Sequence, residues 1–271
     1  MMTKQVYSLC DAMELALTGS LTPPDDAALL YVGSYFCDRY FCSTPESVWE
    51  AAFALARTFR EGAVLVVPTP SQAQLARTKA IVLRLAEKFA GLIREIVLND
   101  YAMLRWAQEA LPGLPRWCGR TMSKDLRDPR YPRPSQEVKL LETAEQGGLW
   151  DLEVLGVEAD LLNPPALPEE RRLLLAVHLP LACVTMGRLC EFGSIGKPLE
   201  EKFRLSGSCS RQCTANWLTY ENRGYSFLKF GRAVYTGNEH IRAALPEGQM
   251  RIIHSALADH LQQPGGREGE Q

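Results

Sequence analysis

Continuous apolar runs that alternate with helical periodicity dominate the first 110 residues of the chain. The apolar runs lie at 27–34, 63–70 and 95–100, and the helical segments at 43–62, 71–91 and 101–111. In the first helical segment, Ser43 is predicted to cap the helix and Gly62 to end it. Strands buried on both faces are continuously apolar, and parallel strands are joined by crossover helices. The three units therefore predict a parallel sheet covered by helices.

The second half of the chain repeats the pattern less regularly. A segment rich in Pro and Arg at 112–136 predicts a long loop. A short helix is predicted at 138–149, strand then helix at 151–162, and an apolar strand that runs into a loop at 171–190. Two further strands, at 224–237 and 250–257, are predicted around a short helix. The strand count favours an α/β fold, a single (β/α) barrel-like domain over 1–261, distorted or incomplete. The polar tail 262–271 is predicted to be disordered.

Composition and charge narrow the class of protein. With 46% hydrophobic residues and a formal net charge of -2, the chain has the composition of a soluble globular protein and no bulk electrostatic attraction for nucleic acid. It contains no apolar stretch of membrane-spanning length and no convincing signal peptide, which predicts a cytoplasmic protein. In a reducing compartment, the eight cysteines are unlikely to form disulfides and are available as ligands.

Four cysteines are candidates for one site. Cys209 and Cys213 lie in the polar segment "SGSCSRQC", where nothing apolar would bury them. Cys37 follows the first predicted strand, and Cys190 follows the strand that carries His178. Because the carboxyl ends of barrel strands meet at one rim, we expect these thiols to converge. The other four are predicted to be core residues: Cys10, Cys42, Cys118 and Cys183.

The type of site is not decided by counting cysteines. Zinc and iron–sulfur clusters both accept four thiolates. The spacing differs from the paired C-x2-C knuckles of zinc ribbons. Arg204 and Arg211 beside the cysteine pair would offset the charge of a thiolate-bound cluster, which favours iron–sulfur.

Five segments, in this order, resemble those of the collagenase-like peptidase family of the YhbU/YhbV type, and in length the chain is most similar to the UbiV-like iron–sulfur proteins of oxygen-independent hydroxylation. The segments are "LYVGSYFCDR", "EIVLNDYAMLR", "GRTMSKDLRDPR", "HLPLACVTMGRLCEFGS" and "CSRQC". The resemblance implies a [4Fe-4S] cluster held by Cys37, Cys190, Cys209 and Cys213. Two extra residues before Cys190 leave Cys183 as the alternative ligand. The resemblance also implies a heterodimer with a larger homologue of the same family.

A second group of residues would bind substrate. Hydroxylating members of the family are thought to draw oxygen from prephenate, a dianion, and Arg presents a fork that matches a carboxylate. The candidates are Asn99, Arg120, Lys124, Arg127 and Arg130. The alternatives are that residues 99–100 cap the next helix and that the basic loop is merely solvated or salt-bridged. His178 is predicted to be a core histidine, and Glu158 to be either the family's acidic residue or a surface carboxylate.

Several functions are compatible with this pattern. The first is a component of an oxygen-independent hydroxylation system of the ubiquinone-biosynthesis type, acting on an aromatic substrate. The second is a non-catalytic cluster-bearing subunit for electron transfer or scaffolding. The third is a relative that hydroxylates RNA, which the net charge disfavours. Proteolysis is rejected, because the sequence has no nucleophile elbow and no recognisable Cys–His or His–Glu metal pair.

Overall fold

Eight parallel strands close into a barrel in the computed structural model of the protein, which describes residues 3–19, 21–124, 152–164, 173–203, 209–245, 248 and 250–261. The described residues form twelve strands: β1 (Lys4–Ser8), β2 (Leu29–Gly33), β3 (Ala63–Val67), β4 (Ile93–Leu98), β5 (Arg116–Cys118), β6 (Val154–Ala159), β7 (Leu174–Leu179), β8 (Leu181–Met186), β9 (Trp217–Asn222), β10 (Tyr225–Phe230), β11 (Ala233–Gly237) and β12 (Met250–Ser255). The barrel order is β1-β12-β7-β6-β5-β4-β3-β2. The predicted (β/α) barrel is confirmed.

Helices cover the outside of the barrel. They are α1 (Met13–Thr18), α2 (Asp38–Ser43), α3 (Glu46–Ala56), α4 (Leu75–Lys88), α5 (Tyr101–Ala110) and α6 (Ala256–Leu261). Short 3₁₀ turns occupy Met122–Lys124, Phe192–Ser194, Leu199–Glu201, Gln212–Thr214 and Glu239–Ala244. One apolar core lies between the barrel and the helices, and a second fills the barrel and continues under a small outer sheet. Strands β2 and β3 are buried at every position, which explains their continuous apolar runs.

The small sheet is an excursion between β7 and β12. Its strands are antiparallel in the order β8-β11-β10-β9. The segment 171–190, predicted as one strand, is divided at Pro180 between β7 of the barrel and β8 of the small sheet. Proline has no N–H to donate to a ladder, so it is suited to this junction between sheets. The predicted strand at 224–237 is a hairpin that turns at Gly231 and Arg232.

Several predicted boundaries were wrong. The segment 43–62 holds two helices, because the hydroxyls of Ser43 and Thr44 donate to the Tyr40 carbonyl and end α2 there. Ser43 is therefore not the cap of α3, which begins after Pro45 and ends at Ala56, ahead of Gly62. Residues 160–164, expected to enter a helix, are not helical. The predicted helix at 138–149 and the predicted disordered tail at 262–271 lie outside the described residues.

Strands β1, β5 and β9 were not predicted. β5 is only three residues long and sits among Pro and Arg residues, where Arg116 is 3% exposed and its guanidinium bonds the Leu114 and Leu152 carbonyls. β9 is almost wholly exposed, so it carries no buried apolar pattern. A strand without that pattern gives no periodic signal in the sequence.

A buried ion pair crosses the barrel interior near the amino ends of the strands. Arg251 donates to both carboxylate oxygens of Glu95, at 2.5 and 2.7 Å, and to the hydroxyl of Tyr31 at 3.2 Å. Its guanidinium lies 4.1 Å from the ring centroid of Trp117. The side chains of Arg251 and Glu95 are 6% and 12% exposed. The pair therefore satisfies two charges that the interior would otherwise leave unpaired.

We expect Arg251→Met to lower the free energy of unfolding by about 3–5 kcal/mol, because it leaves the Glu95 carboxylate buried without its partner. Urea denaturation measures the change. The double variant Arg251→Met/Glu95→Leu should recover much of the loss, since no unpaired charge remains. Arg105→Ala is the matched control, because the Arg105–Glu109 pair is 70% exposed on both sides and should contribute about 0.5 kcal/mol or less. A loss no larger than that of the control would contradict this assignment.

Candidate functional site

Four cysteines from three separate parts of the chain line one cavity at the carboxyl-end rim of the barrel. They are Cys37, Cys190, Cys209 and Cys213. Cys37 follows β2 and caps α2, whereas the other three belong to the excursion between β7 and β12. Cys213 is buried, and the other three are half-buried. The structure thus brings together the four thiols that the sequence singled out.

The loop that presents Cys37 is held by the end of β2. Gly33 has a φ of +130°, and a Cβ there would lie 2.1 Å from the carbonyl oxygen of Val66, so only glycine fits. Ser34 follows, and its hydroxyl donates to Asp11 at 2.5 Å while accepting from the Cys37 N–H at 3.1 Å. The Asp11 carboxylate also accepts from the Tyr35 N–H. A buried acid at the end of β1 therefore fixes the turn that carries the first cysteine.

Two of the thiols already accept backbone hydrogen bonds. The Tyr40 N–H lies 3.3 Å from Cys37 Sγ, at the start of α2. The Gly193 N–H lies 3.3 Å from Cys190 Sγ, at a 3₁₀ turn. Donors directed at sulfur stabilise a thiolate more than a thiol, because the negative charge strengthens the hydrogen bond. Both sulfurs are therefore placed where a deprotonated ligand would be stabilised.

Arg211 holds the Cys209–Cys213 segment against α2. Its backbone is left-handed, with a φ of +56°. Its Nη1 donates to the Tyr40 carbonyl at 3.2 Å and to the Ser43 hydroxyl at 3.0 Å, and its guanidinium lies 4.5 Å from the Tyr40 ring centroid. It also forms an ion pair with Glu14. Arg211 thus holds the cysteine pair beside Cys37. Arg204, the other arginine noted in the sequence, lies outside the described residues.

Burial in the cavity raises the pKa of two of the four thiols, those of Cys37 and Cys213. Burial raises the pKa of Cys37 to about 12, and the positive charge of Arg232 is the first factor that opposes this rise. Burial also raises the pKa of Cys213 well above its usual range, and the neighbouring Cys37, Cys190 and Cys209 raise it further. A metal that binds thiolates must displace these protons, so its binding is favoured as the pH rises.

The four thiols line a cavity and do not gather around a single point. Among the described residues, no three His, Cys, Asp or Glu side chains gather closely enough to hold one metal ion. Four ligands of a single zinc ion would lie about 3.8 Å apart, given tetrahedral geometry and Zn–S bonds of about 2.3 Å. Thiols spread around a cavity suit a polynuclear cluster, whose irons each take one cysteine. The cavity volume is about 30 Å³, so the residues that line it would have to move apart for a cluster to enter.

The remaining cysteines are in the positions expected of core residues. Cys10, Cys42, Cys118 and Cys183 are 7%, 5%, 1% and 0% exposed. Cys183, the alternative to Cys190, lies on β8, where its N–H donates to Asp160 at 2.7 Å and its thiol is directed to the Thr185 carbonyl. It does not line the cysteine cavity, whereas Cys190 does.

The predicted substrate-binding residues do not share one environment. Asn99 is 3% exposed, and its amide donates to the Val67 carbonyl and accepts from the Thr121 N–H and hydroxyl, so it joins the ends of β3, β4 and β5. Asp100 caps α5 by accepting from the Met103 N–H, as the capping alternative predicted. The amide of Asn99 is thus engaged by protein atoms.

Arg120 is also engaged. It is 4% exposed, pairs through two guanidinium nitrogens with Asp160, and donates to the Leu181 carbonyl at 3.3 Å. The ring of Tyr35 lies 5.2 Å away. Its fork therefore joins the barrel rim to the small sheet. Lys124 ends a 3₁₀ turn on the same rim and its side chain is not described, while Arg127 and Arg130 lie outside the described residues.

Two polar residues, His178 and Glu158, form a buried pair inside the barrel. His178 is buried, as predicted, and its Nε2 lies 3.3 Å from a carboxylate oxygen of Glu158. Burial lowers the pKa of His178. Glu158 is fully buried and not a surface carboxylate. Sequence reasoning missed Asp11 and Arg232, because β1 was not predicted and Arg232 appeared to lie within a strand.

Comparison with known proteins identifies no relative: the chain matches no protein-family model, no curated protein and no solved structure at a significant level.

Within the part of the chain that the structure describes, every helix is too short or too polar to span a lipid bilayer.

We expect the rate of Cys37 alkylation by iodoacetamide in the metal-free, reduced protein to rise about tenfold per pH unit from pH 7 to 10, because only the thiolate reacts and its pKa is about 12. Mass spectrometry of the Cys37 peptide after timed pulses measures the rate. A free cysteine, with a pKa of about 8.5, serves as the control and should level off. A plateau for Cys37 below pH 10 would contradict the raised pKa.

Proposed function

We propose that the protein binds a [4Fe-4S] cluster through Cys37, Cys190, Cys209 and Cys213. The observation that carries this proposal is that these four thiols, from three separate parts of the chain, line one cavity. The backbone donors at Cys37 and Cys190 support it, because they favour thiolates.

The protein would act as a UbiV-like component of an oxygen-independent hydroxylation system of the ubiquinone-biosynthesis type. The resemblance of five ordered segments supports this assignment. The cluster would supply one-electron chemistry without dioxygen. The chain itself would hold the cluster at the barrel rim, where strand ends and loops offer room for an aromatic substrate.

The oxygen donor would be a small dianion such as prephenate. Arg120 is already paired with Asp160, so the binding of the donor would depend on Lys124, Arg127 and Arg130. Lys124 ends the turn at Met122–Lys124, which leaves the same rim as the cysteine cavity. A reacting group has to lie near both the donor and the cluster.

A second candidate function is a non-catalytic cluster-bearing subunit for electron transfer or scaffolding. The full burial of the Glu158–His178 pair favours it, because these acid–base groups are closed to solvent. In either role, the protein would pair with a larger homologue of the same family. Co-expression with such a homologue, followed by anaerobic size-exclusion chromatography, tests the pairing. A well-behaved monomer that turns over alone would contradict it.

Anaerobically purified protein should contain about four iron and four sulfide per chain and show broad absorbance near 400 nm, as expected of a [4Fe-4S] centre. Iron, sulfide and zinc analyses measure this directly. Stoichiometric zinc without iron would overturn the proposal.

Replacing any of the four cavity cysteines by Ala should abolish or greatly reduce the iron content, because each supplies a ligand. Cys42→Ala and Cys118→Ala are the matched controls, since these thiols are equally reduced but buried away from the cavity. They should retain iron, with some loss of stability. Loss of iron in Cys183→Ala but not in Cys190→Ala would move the ligand assignment to Cys183.

A further inference from the structure

The backbone of Arg232 is fixed beside the cysteine cavity. Phe230 pairs with Ala233, so Gly231 and Arg232 form the two-residue turn between β10 and β11. Gly231 has a φ of +55°, which glycine adopts without strain. The Arg232 carbonyl accepts from the Gly187 N–H at 2.9 Å. The turn is therefore bound to the segment that leads to Cys190.

The guanidinium of Arg232 is fixed at its far end. Its Nη1 donates to Asp38 Oδ1 at 2.9 Å, and the side chains of both residues are less than 10% exposed. The other oxygen of Asp38 accepts from the Ser71 N–H at 2.8 Å. Asp38 immediately follows Cys37 and opens α2. The ion pair thus connects the hairpin turn to the helix that begins at the first cysteine.

One nitrogen of this guanidinium has no hydrogen-bond partner among the residues that the structure describes. Arg232 is 8% exposed, and its Nε is buried without a hydrogen bond to any described residue. Arg232 lines the cavity of the four cysteines, and it also lines a smaller adjacent cavity together with Cys37 and Cys213. Leaving a charged donor buried without an acceptor is unfavourable, because the donor has lost its hydrogen bonds to water. A group bound in the cavity that Arg232 lines would supply the missing acceptor.

The charged residues that line the cavity indicate which kind of bound group would accept this hydrogen bond. Three cations line the cavity, Arg39, Lys197 and Arg232, along with one carboxylate, Glu201. Arg232 is already paired with Asp38, so the net excess of the lining is about one positive charge. Four thiolates around a cluster would carry a larger negative charge than this. The cavity therefore has no surplus for a second anion, and the sulfur atoms of a cluster are the acceptors that remain.

We propose that the Arg232 Nε–H donates a hydrogen bond to a sulfur of the cysteine-bound cluster and raises its reduction potential. This inference rests on the proposed cluster. Reduction adds negative charge to the cluster, so a nearby cation and an N–H···S bond stabilise the reduced form more than the oxidised form. Arg232 is thus a positioning and tuning residue, and not a ligand.

Potentiometric titration of anaerobic wild-type protein and of Arg232→Gln and Arg232→Lys, followed by electron paramagnetic resonance, tests the inference. We expect both variants to retain cluster, with a more negative midpoint potential in Arg232→Gln. Arg232→Lys should shift it less, because it keeps the charge. Lys197→Gln is the control, since it removes a lining cation that is half-buried and screened by solvent, and its shift should be smaller than that of Arg232→Gln. A full cluster with an unchanged potential in Arg232→Gln would overturn the inference.

A second measurement covers the case in which the variants do not assemble a cluster. Wild-type protein labelled with ¹⁵N at arginine Nε should show a hyperfine coupling from that nitrogen in pulsed paramagnetic resonance of the reduced cluster. Absence of the coupling in a protein with full iron and sulfide would refute the hydrogen bond while leaving the proposed function intact. Absence of iron and sulfide from the wild type would instead remove both proposals.

Discussion

Closure of the barrel by β1, which pairs with β2 on one side and β12 on the other, is the constraint on which the rest of the structure depends. Closure places the carboxyl ends of all eight strands on one rim. It therefore brings Asp11, at the end of β1, next to the loop that follows β2, where its carboxylate bonds Ser34 and fixes the turn before Cys37. The first cysteine is positioned by the same pairing that completes the fold.

The excursion between β7 and β12 contributes the remaining three cysteines, and its attachment explains why they lie beside Cys37. Arg211 fastens the cysteine pair to α2 through Tyr40, while Arg232 binds Asp38 at the start of the same helix. Arg211 meets several acceptors, which gives its contact directional specificity, whereas the guanidinium of Arg232 bonds the Asp38 carboxylate. Helix α2 is only six residues long, yet it organises the cavity because Arg211 and Arg232 of the excursion both bind to it.

The barrel could be predicted from the sequence because its central strands are buried at every position, and continuous apolar runs record that burial. The single carboxyl-end rim of a closed parallel sheet predicted that the distant cysteines would converge, but Cys190, Cys209 and Cys213 lie in the excursion beyond β7, and its contacts with α2 bring them beside Cys37. What could not be predicted depends on contacts between distant residues. Ser43 looks like a helix cap until its hydroxyl is seen to donate to Tyr40, and Arg120 looks like a free cation until Asp160 is placed beside it.

The charges of the cavity show why its chemistry depends on both halves of the fold. The burial that keeps water from the thiols also raises the pKa of Cys37 and Cys213, which by itself would disfavour thiolate ligands. The opposing contributions come from the backbone N–H of Tyr40 in α2 and from the guanidinium of Arg232 in the small sheet. The excursion therefore supplies three of the four candidate ligands and, through Arg232, a positive charge that opposes the rise in the pKa of Cys37.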